Sequence, residues 1–199
     1  MDKLASPQER EILLHSGLKV ALMEQTLFPA YLDGLRVWES DVALARFFAR
    51  TAPHFAGRKL LELGCGTGLA SLALASQSPS PASLLLTDYQ PAVLALATKN
   101  IAKISSKRVS SLLPTTSERD FLLPSFPASE YSSPAQLKVA KLDWREPKDR
   151  KSLLEEGPPD LAFGSDLVYQ GSPYESLVEL LSALSESNPE FHFLLSMPD

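Results

Sequence analysis

Short apolar runs alternate with amphipathic stretches from residue 58 onwards. The runs have the length of buried strands, and the stretches between them have apolar residues at helical spacing. Strands that alternate with helices are typical of βαβ units, whose parallel sheet is covered by helices on both faces. The predicted fold is therefore an α/β sheet, with strands at KLLELG (59–64), SLLLTD (83–88), LKVAKLD (137–143), LAFGSD (161–166) and FHFLLSM (191–197).

Three of the connections are predicted to be helices, at TGLASLALASQ, PAVLALATKNIAK and PYESLVELLSALSES. Pro91 lies at the start of the second helix, where its missing N–H does no harm. Ser172 and Pro173 precede the third helix as an N-cap residue and a first-turn proline.

The part of the chain ahead of the first strand is predicted to be helical. The sequence SPQE at 6–9 matches an N-cap, a first-turn proline and a capping-box glutamate, and Gly17 is placed to end that helix. A second helix is predicted over 39–50, where apolar residues recur at helical spacing. We therefore predict an N-terminal helical segment over 1–57 that contributes to the ligand pocket, and a sheet core over 58–199.

One stretch, residues 105–136, fits neither the helical nor the strand period. It is rich in serine and proline, contains no glycine, and is too long for an ordinary connection between a helix and a strand. We interpret it as a largely disordered insertion between the second helix and the third strand. Its apolar pieces, at 112–113 and 121–123, are candidates for docking on a partner.

Composition excludes several classes of protein. The chain has 199 residues, of which 44% are hydrophobic and 22% charged, as in an ordinary globular domain. A net charge of −5 argues against a nucleic-acid-binding face, which needs a basic stripe. No apolar run is long enough to span a membrane, and the start MDKLASPQEREILL lacks the apolar core of a secretory signal. Cys65 is the only cysteine, so we expect no disulfide within the chain and a cytoplasmic or nuclear protein.

The stretch LLELGCGTG (60–68) raises the question of what lies against its backbone. Gly64, Gly66 and Gly68 follow the first predicted strand and precede a helix, at the place where open parallel sheets bind ligands. Glycines there let a ligand lie on the backbone, and the helix adds free N–H groups. The spacing differs from the G-x-G-x-x-G of dinucleotide sites. The carboxylate of Glu62 would repel a pyrophosphate and attract a cation. This favours S-adenosylmethionine, a ligand with sulfonium and ammonium charges and no phosphate.

Acidic residues also end the next two predicted strands. Asp88 closes the second strand, where a carboxylate is placed to accept both hydroxyls of a ribose. Asp143 closes the third strand and is followed by Trp144, a pair suited to the amino group and the ring of adenine. Each residue alone is a weak signal, because aspartate is common in turns. Together with the glycines they predict a site for an adenosine-containing ligand.

Four short motifs make the chain recognisable: ELGCGTG, GLRVWES (34–40), LDW (142–144) and SDLVY (165–169). With them, the chain resembles the class I, seven-β-strand methyltransferases. Within that class it resembles the protein-lysine methyltransferases that modify translation elongation factors and chaperones. The resemblance covers roughly residues 30–199 without the insertion.

This resemblance implies a fold, a cofactor and a set of site residues. The fold would be a Rossmann-like sheet of strand order 3-2-1-4-5, and the cofactor S-adenosylmethionine. The substrate would be a lysine side chain of a protein, such as a translation factor or a chaperone. The family's D-x-x-Y signature would place Asp166 and Tyr169 at the methyl-acceptor site. The implied cofactor-binding residues are Trp38, Glu62, Gly64, Gly66, Gly68, Asp88, Asp143, Trp144 and Ser165.

Several other functions fit the sequence less well. SDLVY lacks the proline pair of nucleobase-amino methyltransferases, and no G-x-S-x-G motif supports a serine hydrolase. His15, His54 and His192 are scattered, so no metal site is expected. Two alternatives stay open. One is a histidine or small-molecule N-methyltransferase on the same scaffold, and the other is a catalytically weak family member that acts as a binding module.

The end of the chain carries one more expectation. Family members continue past the fifth strand with a helix and an antiparallel pair of strands, whereas this sequence stops at FHFLLSMPD. By the resemblance, the antiparallel strands are missing and the fifth strand has an uncovered apolar edge. We expect poor solubility, dimerisation through that edge or weak activity when this chain is made alone. A complete chain is expected to be a monomer.

Overall fold

The computed structural model describes residues 6–26, 30–105 and 134–198. Its strands are β1 (Gln8–Leu13), β2 (Lys19–Glu24), β3 (Lys59–Leu63), β4 (Ser83–Asp88), β5 (Gln136–Lys141), β6 (Leu161–Ser165) and β7 (His192–Ser196). The last five form one parallel sheet in the order β5-β4-β3-β6-β7. Numbered within the sheet alone, this order is 3-2-1-4-5, so the predicted α/β fold and strand order are confirmed.

The helices are α1 (Glu39–Thr51), α2 (Leu69–Ala75), α3 (Pro91–Ser105), α4 (Pro147–Glu155) and α5 (Tyr174–Ser187), with 3-10 turns at His15–Gly17, Ala30–Leu35 and Ala52–Phe55. The helix predicted over 39–50 and the three predicted between strands correspond to α1, α2, α3 and α5. The sequence pattern does not predict α4, because that helix buries only Leu153 and has little apolar periodicity. Ser172 does not cap α5: the capping residue is Pro173, and the Ser172 hydroxyl accepts a hydrogen bond from the backbone N–H of Tyr169.

Successive side chains along each strand lie on opposite faces of the sheet and so pack into two separate cores. Leu60 and Phe163 face α1, α2 and α3, and the ring of Phe48 in α1 meets that of Phe163 edge-on, with centroids 4.8 Å apart. Leu61 and Ala162 face the opposite way, towards α4 and α5. The sheet is therefore covered on both faces, as its nearly continuous apolar runs predict.

The helix predicted from the SPQE motif to Gly17 is wrong. This part of the chain is an antiparallel hairpin of β1 and β2, in which Ile12 pairs with Val20. Both side chains are buried against α1 and α2. The alternation of buried and more exposed residues in β2 is a strand signal, and it outweighs the local capping pattern because it buries a whole apolar face.

Three further features concern the predicted insertion, the edge of the sheet and membrane-spanning helices. The predicted insertion, residues 105–136, lies outside the described residues except at its ends, where α3 ends and β5 begins. Among the described strands, β7 pairs only with β6 and so lies at an edge of the sheet. Within the described ranges, no helix is both long and apolar enough to cross a membrane.

Candidate active site

The residues predicted to form the site lie at the carboxyl end of the parallel sheet. β3 is the central strand, with β4 on one side and β6 on the other. Strand order therefore reverses beside β3, which is where open parallel sheets bind ligands. Residues 64–68, here called the glycine turn, follow β3, while Asp88 ends β4 and Asp166 follows β6.

The glycine turn is built from left-handed backbone conformations, with φ of +60° at Gly64, +52° at Gly66 and +80° at Gly68. A Cβ atom at Gly64 would lie only 2.8 Å from Cδ2 of Leu167. One at Gly66 would lie 3.3 Å from the carbonyl oxygen of Gly34. Backbone conformation and close packing therefore require glycine here. This reason is additional to the ligand approach expected from the sequence.

Asn100, which the sequence analysis did not select, holds the glycine turn in place. Its side chain lies fully buried in α3. The side-chain amide donates hydrogen bonds to the carbonyl oxygens of Thr67, at 2.9 Å, and Met23, at 3.0 Å. Oδ1 of Asn100 accepts a third hydrogen bond, of 2.6 Å, from the backbone N–H of Met23. Asn100 thus joins the N-terminal hairpin to the glycine turn.

Two buried carboxyl groups lie beside the start of α2. Glu62 of β3 is 3% exposed, and its Oε2 accepts a 2.6 Å hydrogen bond from the hydroxyl of Ser71. Burial raises the pKa of Glu62 well above its usual range, and the charge of Asp41 adds to the shift. Burial is also the main reason that the pKa of Asp41 rises to about 7, and the charge of Asp166 adds to it. Sequence reasoning missed Asp41, because an acidic residue in the first turn of α1 is what the helix dipole favours anyway.

Asp88 lies between the glycine turn and α3. Its Oδ2 accepts a long hydrogen bond, of 3.4 Å, from the backbone N–H of Gly66, and its Oδ1 accepts one of 3.0 Å from the N–H of Gln90. The side chain is buried, and burial raises the pKa of Asp88. Each carboxylate oxygen has a second lone pair, so Asp88 keeps acceptor capacity for the hydroxyl groups of a ligand.

Asp143 and Trp144 follow β5 and flank the site. Both oxygens of Asp143 accept 2.8 Å hydrogen bonds from the guanidinium of Arg145, and this pairing lowers the pKa of Asp143. The same guanidinium lies 5.2 Å from the centre of the Tyr89 ring. The ring of Trp144 lies against the glycine turn, with Cζ2 4.0 Å from a Cβ position at Gly64. The structure thus gives Asp143 a partner, Arg145, that sequence reasoning did not include.

Asp166 has an unusual backbone conformation and several partners. Its φ of +53° lies in the left-handed region, which few residues other than glycine adopt. Its backbone N–H donates to the carbonyl oxygen of Ser196 in β7 at 3.0 Å, and its Oδ1 accepts a 2.8 Å hydrogen bond from the hydroxyl of Ser40 in α1. Ser165, the last residue of β6, is the residue paired with Ser196. A non-glycine residue in this conformation persists only where its surroundings hold it, and such residues cluster at functional sites.

The other two predicted aromatic residues, Tyr169 and Trp38, lie on the open side of the site. Tyr169 is 58% exposed, and the pKa of its hydroxyl is raised first by partial burial and then by nearby charges that include Asp33 and Asp88. Trp38 is the capping residue of α1 and donates its Nε1–H to the carbonyl oxygen of Asp33 at 3.0 Å. The guanidinium of Arg36 lies 3.8 Å from the centre of the Trp38 ring.

The charges of the site suit a cationic ligand that also carries hydroxyl groups. None of the ion pairs in the described part of the chain includes Asp41, Glu62, Asp88 or Asp166, whereas Asp143, which flanks the site, pairs with Arg145. An unpaired buried carboxylate attracts positive charge and repels phosphate. The residues present therefore fit the sulfonium, the ammonium and the ribose hydroxyls of S-adenosylmethionine.

A model of the lysine methyltransferase family matches residues 31–114 and 128–198 of the chain. The chain belongs to the lysine methyltransferase family. The match includes the glycine turn, Asp88 and the SDLVY motif, so the resemblance stated from these motifs is confirmed.

Two curated relatives are named as protein-lysine methyltransferases. The human protein-lysine N-methyltransferase EEF2KMT is 28% identical over 186 residues, which is 93% of this chain and 51% of the relative. The zebrafish protein N-lysine methyltransferase METTL21A is 26% identical over 152 residues, 76% of this chain and 56% of the relative. The chain thus spans about half the length of the curated relatives it matches.

A solved structure shows the same fold. The chain is similar to SMU.776, named as a candidate methyltransferase and solved in complex with SAH, with a TM-score of 0.54 and 14% identity. The similarity covers 98% of this chain and 43% of that one. At this identity the similarity supports the Rossmann-like fold alone.

Proposed function

We propose that this chain transfers a methyl group from S-adenosylmethionine to a lysine side chain of a protein substrate. The observation that carries the proposal is Asp166. This residue follows β6 at the same end of the sheet as the glycine turn, its backbone has a left-handed conformation, and its carboxylate accepts a hydrogen bond from Ser40. Membership of the lysine methyltransferase family and the names of the relatives support the same reaction.

The cofactor would lie across the glycine turn. In this proposal Asp88 accepts the ribose hydroxyls, Trp144 covers the adenine ring, and Asp143 shares its carboxylate between Arg145 and the adenine amino group. Glu62 offsets the positive charge of the cofactor, and Trp38 and Ser165 line the remaining walls. S-adenosylmethionine supplies a methyl group bonded to a positively charged sulfur. When a nucleophile attacks the methyl carbon, the sulfur leaves with the electrons of the broken C–S bond.

The chain's main contribution to the rate would be alignment. Holding two reactants in line is worth up to roughly 7–11 kcal/mol. Asp166 would hold and orient the acceptor nitrogen through its carboxylate, and Tyr169 would form a wall of the acceptor channel and offer its hydroxyl as a hydrogen-bonding group. The exposed position of Tyr169 at the open side of the site is consistent with that role.

The acceptor lysine must also lose a proton before it can attack. An ordinary lysine is protonated at neutral pH, so deprotonation near pH 7 means overcoming about 3 pKa units, or roughly 4 kcal/mol. Asp166 is not the source of this effect, because a nearby carboxylate raises the pKa of an amine. Removal of the lysine from water and the neighbouring sulfonium charge both lower that pKa.

Cofactor binding tests the first half of the proposal. Calorimetry with S-adenosylhomocysteine should detect binding in the micromolar range. Asp88→Ala should weaken it by about 1–3 kcal/mol, because charge-assisted hydrogen bonds are lost. The matched control is Glu156→Gln, whose carboxylate forms an exposed ion pair with Lys138 away from the site. Binding of NADH without binding of S-adenosylhomocysteine would contradict the assignment of the glycine turn.

Identification of the acceptor tests the second half. The chain is incubated with labelled S-adenosylmethionine and a cell extract, and the modified residue is found by mass spectrometry, with translation factors and chaperones as the first proteins to inspect. A labelled lysine that disappears with Asp166→Ala supports the proposal. A labelled histidine or small molecule would identify a different acceptor, and no label would favour a binding module.

A further inference from the structure

Asp41, Glu62 and Asp166 form a carboxyl cluster that joins the proposed cofactor and acceptor sites. Asp41 is near both of the others, because the charge of Asp166 raises the pKa of Asp41 and the charge of Asp41 raises the pKa of Glu62. Ser40, the residue before Asp41, donates its hydroxyl hydrogen bond to Asp166 at 2.8 Å. On the other side, Asp41 and Glu62 accept hydrogen bonds from the backbone N–H groups of Ala70 and Ser71.

The second observation concerns the hydrogen bonding of Asp41. The residue is 7% exposed, and in the described part of the chain its Oδ1 is a buried atom without a hydrogen-bond partner. A buried polar atom left unpaired costs about 1–3 kcal/mol, and an ionised one costs more. The unpaired Oδ1 of Asp41 therefore makes the free energy of folding less favourable, and a ligand that bonds to this atom would remove that penalty.

We propose that Asp41 is a positioning residue for the cationic ligand, and that it releases a proton to solvent when that ligand enters beside Glu62 and Asp166. In the free protein, Asp41 is partly protonated, which limits repulsion within the carboxyl cluster. In the complex, its ionised carboxylate faces the added positive charge. This inference rests on the proposed function, since the cation is the sulfonium of S-adenosylmethionine.

The surroundings of Asp41 determine the direction of the effect. Burial raises the pKa of Asp41 and the charge of Asp166, from the end of β6, adds to this shift, while the charge of Asp41 in turn raises the pKa of Glu62 in β3. The thiol of Cys65, in the glycine turn, stays neutral, because burial raises its pKa and the charge of Asp41 adds to the shift. Burial and repulsion thus favour the protonated form of Asp41 in the free protein. A nearby positive charge favours the ionised form, so ligand binding and proton release are coupled.

Proton release is measurable without any turnover. Calorimetry of S-adenosylmethionine binding, repeated at pH 7 in buffers of different ionisation enthalpy, gives the number of protons released. We expect Asp41 to contribute roughly half a proton per ligand, because a group with a pKa near 7 is half protonated there, and any further release would come from Glu62, whose pKa is also raised. S-adenosylhomocysteine lacks the sulfonium charge and should release fewer protons. Binding of S-adenosylmethionine with no proton exchange would overturn the inference but not the proposed function, whereas no binding of either ligand would contradict the proposed function.

Substitution assigns the proton to Asp41. In the parent, affinity for S-adenosylmethionine should fall as the pH is lowered from about 7.5 to about 5.5, by at most roughly tenfold per pH unit. Asp41→Asn should release fewer protons and show a flatter pH dependence. Asp160→Asn is the matched control, since Asp160 accepts a hydrogen bond from the backbone N–H of Lys59 at the opposite end of the sheet. Equal release by parent and Asp41→Asn would overturn the assignment.

A second measurement needs no variant and covers the case in which Asp41→Asn fails to fold. Infrared difference spectra of the parent are recorded with and without S-adenosylmethionine, after isotope labelling of aspartate carboxyl carbons. Loss of a protonated-carboxyl band that shifts with the label supports the proposal. An unchanged band on saturation with ligand would overturn it.

Discussion

The hydroxyl of Ser40 donates a 2.8 Å hydrogen bond to Oδ1 of Asp166, although 126 residues separate the two in sequence. The carbonyl oxygen of Ser40 in turn accepts a 2.9 Å hydrogen bond from the hydroxyl of Ser196 in β7. The first turn of α1 is therefore joined to the ends of both β6 and β7. Through this pair of bonds, the N-terminal part of the chain fixes the orientation of the carboxylate proposed to hold the acceptor.

Ser40→Ala should lower turnover without removing cofactor binding. The variant loses one hydrogen bond to a charged group, worth about 1.5–3 kcal/mol, so turnover should fall by roughly tenfold or more. Affinity for S-adenosylhomocysteine should stay within about twofold, since the lost contact lies on the acceptor side. Ser187→Ala is the control, because the Ser187 hydroxyl is exposed and donates its hydrogen bond to the carbonyl oxygen of Ala183 in the same helix. Parent-like turnover in Ser40→Ala would contradict the role of this bond.

Asp41→Asn should make the protein more stable at alkaline pH. Between about pH 4 and about pH 7 the folded chain retains the Asp41 proton that the unfolded chain releases, so stability falls as the pH rises through this window. The variant has no such proton. It should exceed the parent by about 1–3 kcal/mol near pH 8 and differ little near pH 4.5.

Urea unfolding at both pH values measures this difference. Glu62 continues to titrate in the variant, so some pH dependence remains. Asp160→Asn should show no gain at either pH. A variant that is less stable than the parent at pH 8 would mean that ionised Asp41 is satisfied in the folded protein.

Asn100→Ala should destabilise the fold by about 2–4 kcal/mol, because a fully buried side chain loses three hydrogen bonds, and the N–H and carbonyl groups of Met23 and the carbonyl group of Thr67 lose this partner. Cofactor affinity should also fall, since the glycine turn loses its support from α3. Thr98→Ala, on the exposed side of the same helix, is the control and should change stability by less than about 1 kcal/mol. Equal stabilities of the two variants in chemical denaturation would remove the role given to Asn100.

The parts of the fold that the sequence predicts are those with a repeating local signal. Leucine-rich runs of strand length predict all five sheet strands, and the glycines with Asp88 and Asp166 predict where the site lies. The N-terminal hairpin escapes prediction because SPQE at 6–9 imitates a capping box. The alternation that opposes it is confined to β2.

The buried polar residues escape prediction for a different reason. Asp41 and Asn100 sit at helix positions where any polar residue is acceptable, and nothing local marks them as buried. Their partners come from distant parts of the chain: Asn100 bonds to Met23, which is 77 residues away. Such contacts follow from the packing of α1 and α3 on the sheet, which a local pattern does not contain.

Gly66→Ala should weaken both stability and cofactor affinity, and Gly17→Ala provides the comparison that separates the two causes. Both glycines have positive φ, +52° and +78°, so alanine at either position costs about 1–2 kcal/mol of backbone strain. A Cβ at Gly17 would have no atom within 4 Å, whereas one at Gly66 would press on the Gly34 carbonyl oxygen at 3.3 Å. Gly66 also donates its N–H to Asp88, so any shift of the turn moves the proposed ribose-binding carboxylate.

Calorimetry with S-adenosylhomocysteine should give an affinity at least roughly tenfold weaker for Gly66→Ala, equivalent to about 1.4 kcal/mol, and an unchanged one for Gly17→Ala. Equal affinities in the two variants would mean that the glycine turn tolerates the displacement and that its contact with Gly34 does not position the cofactor.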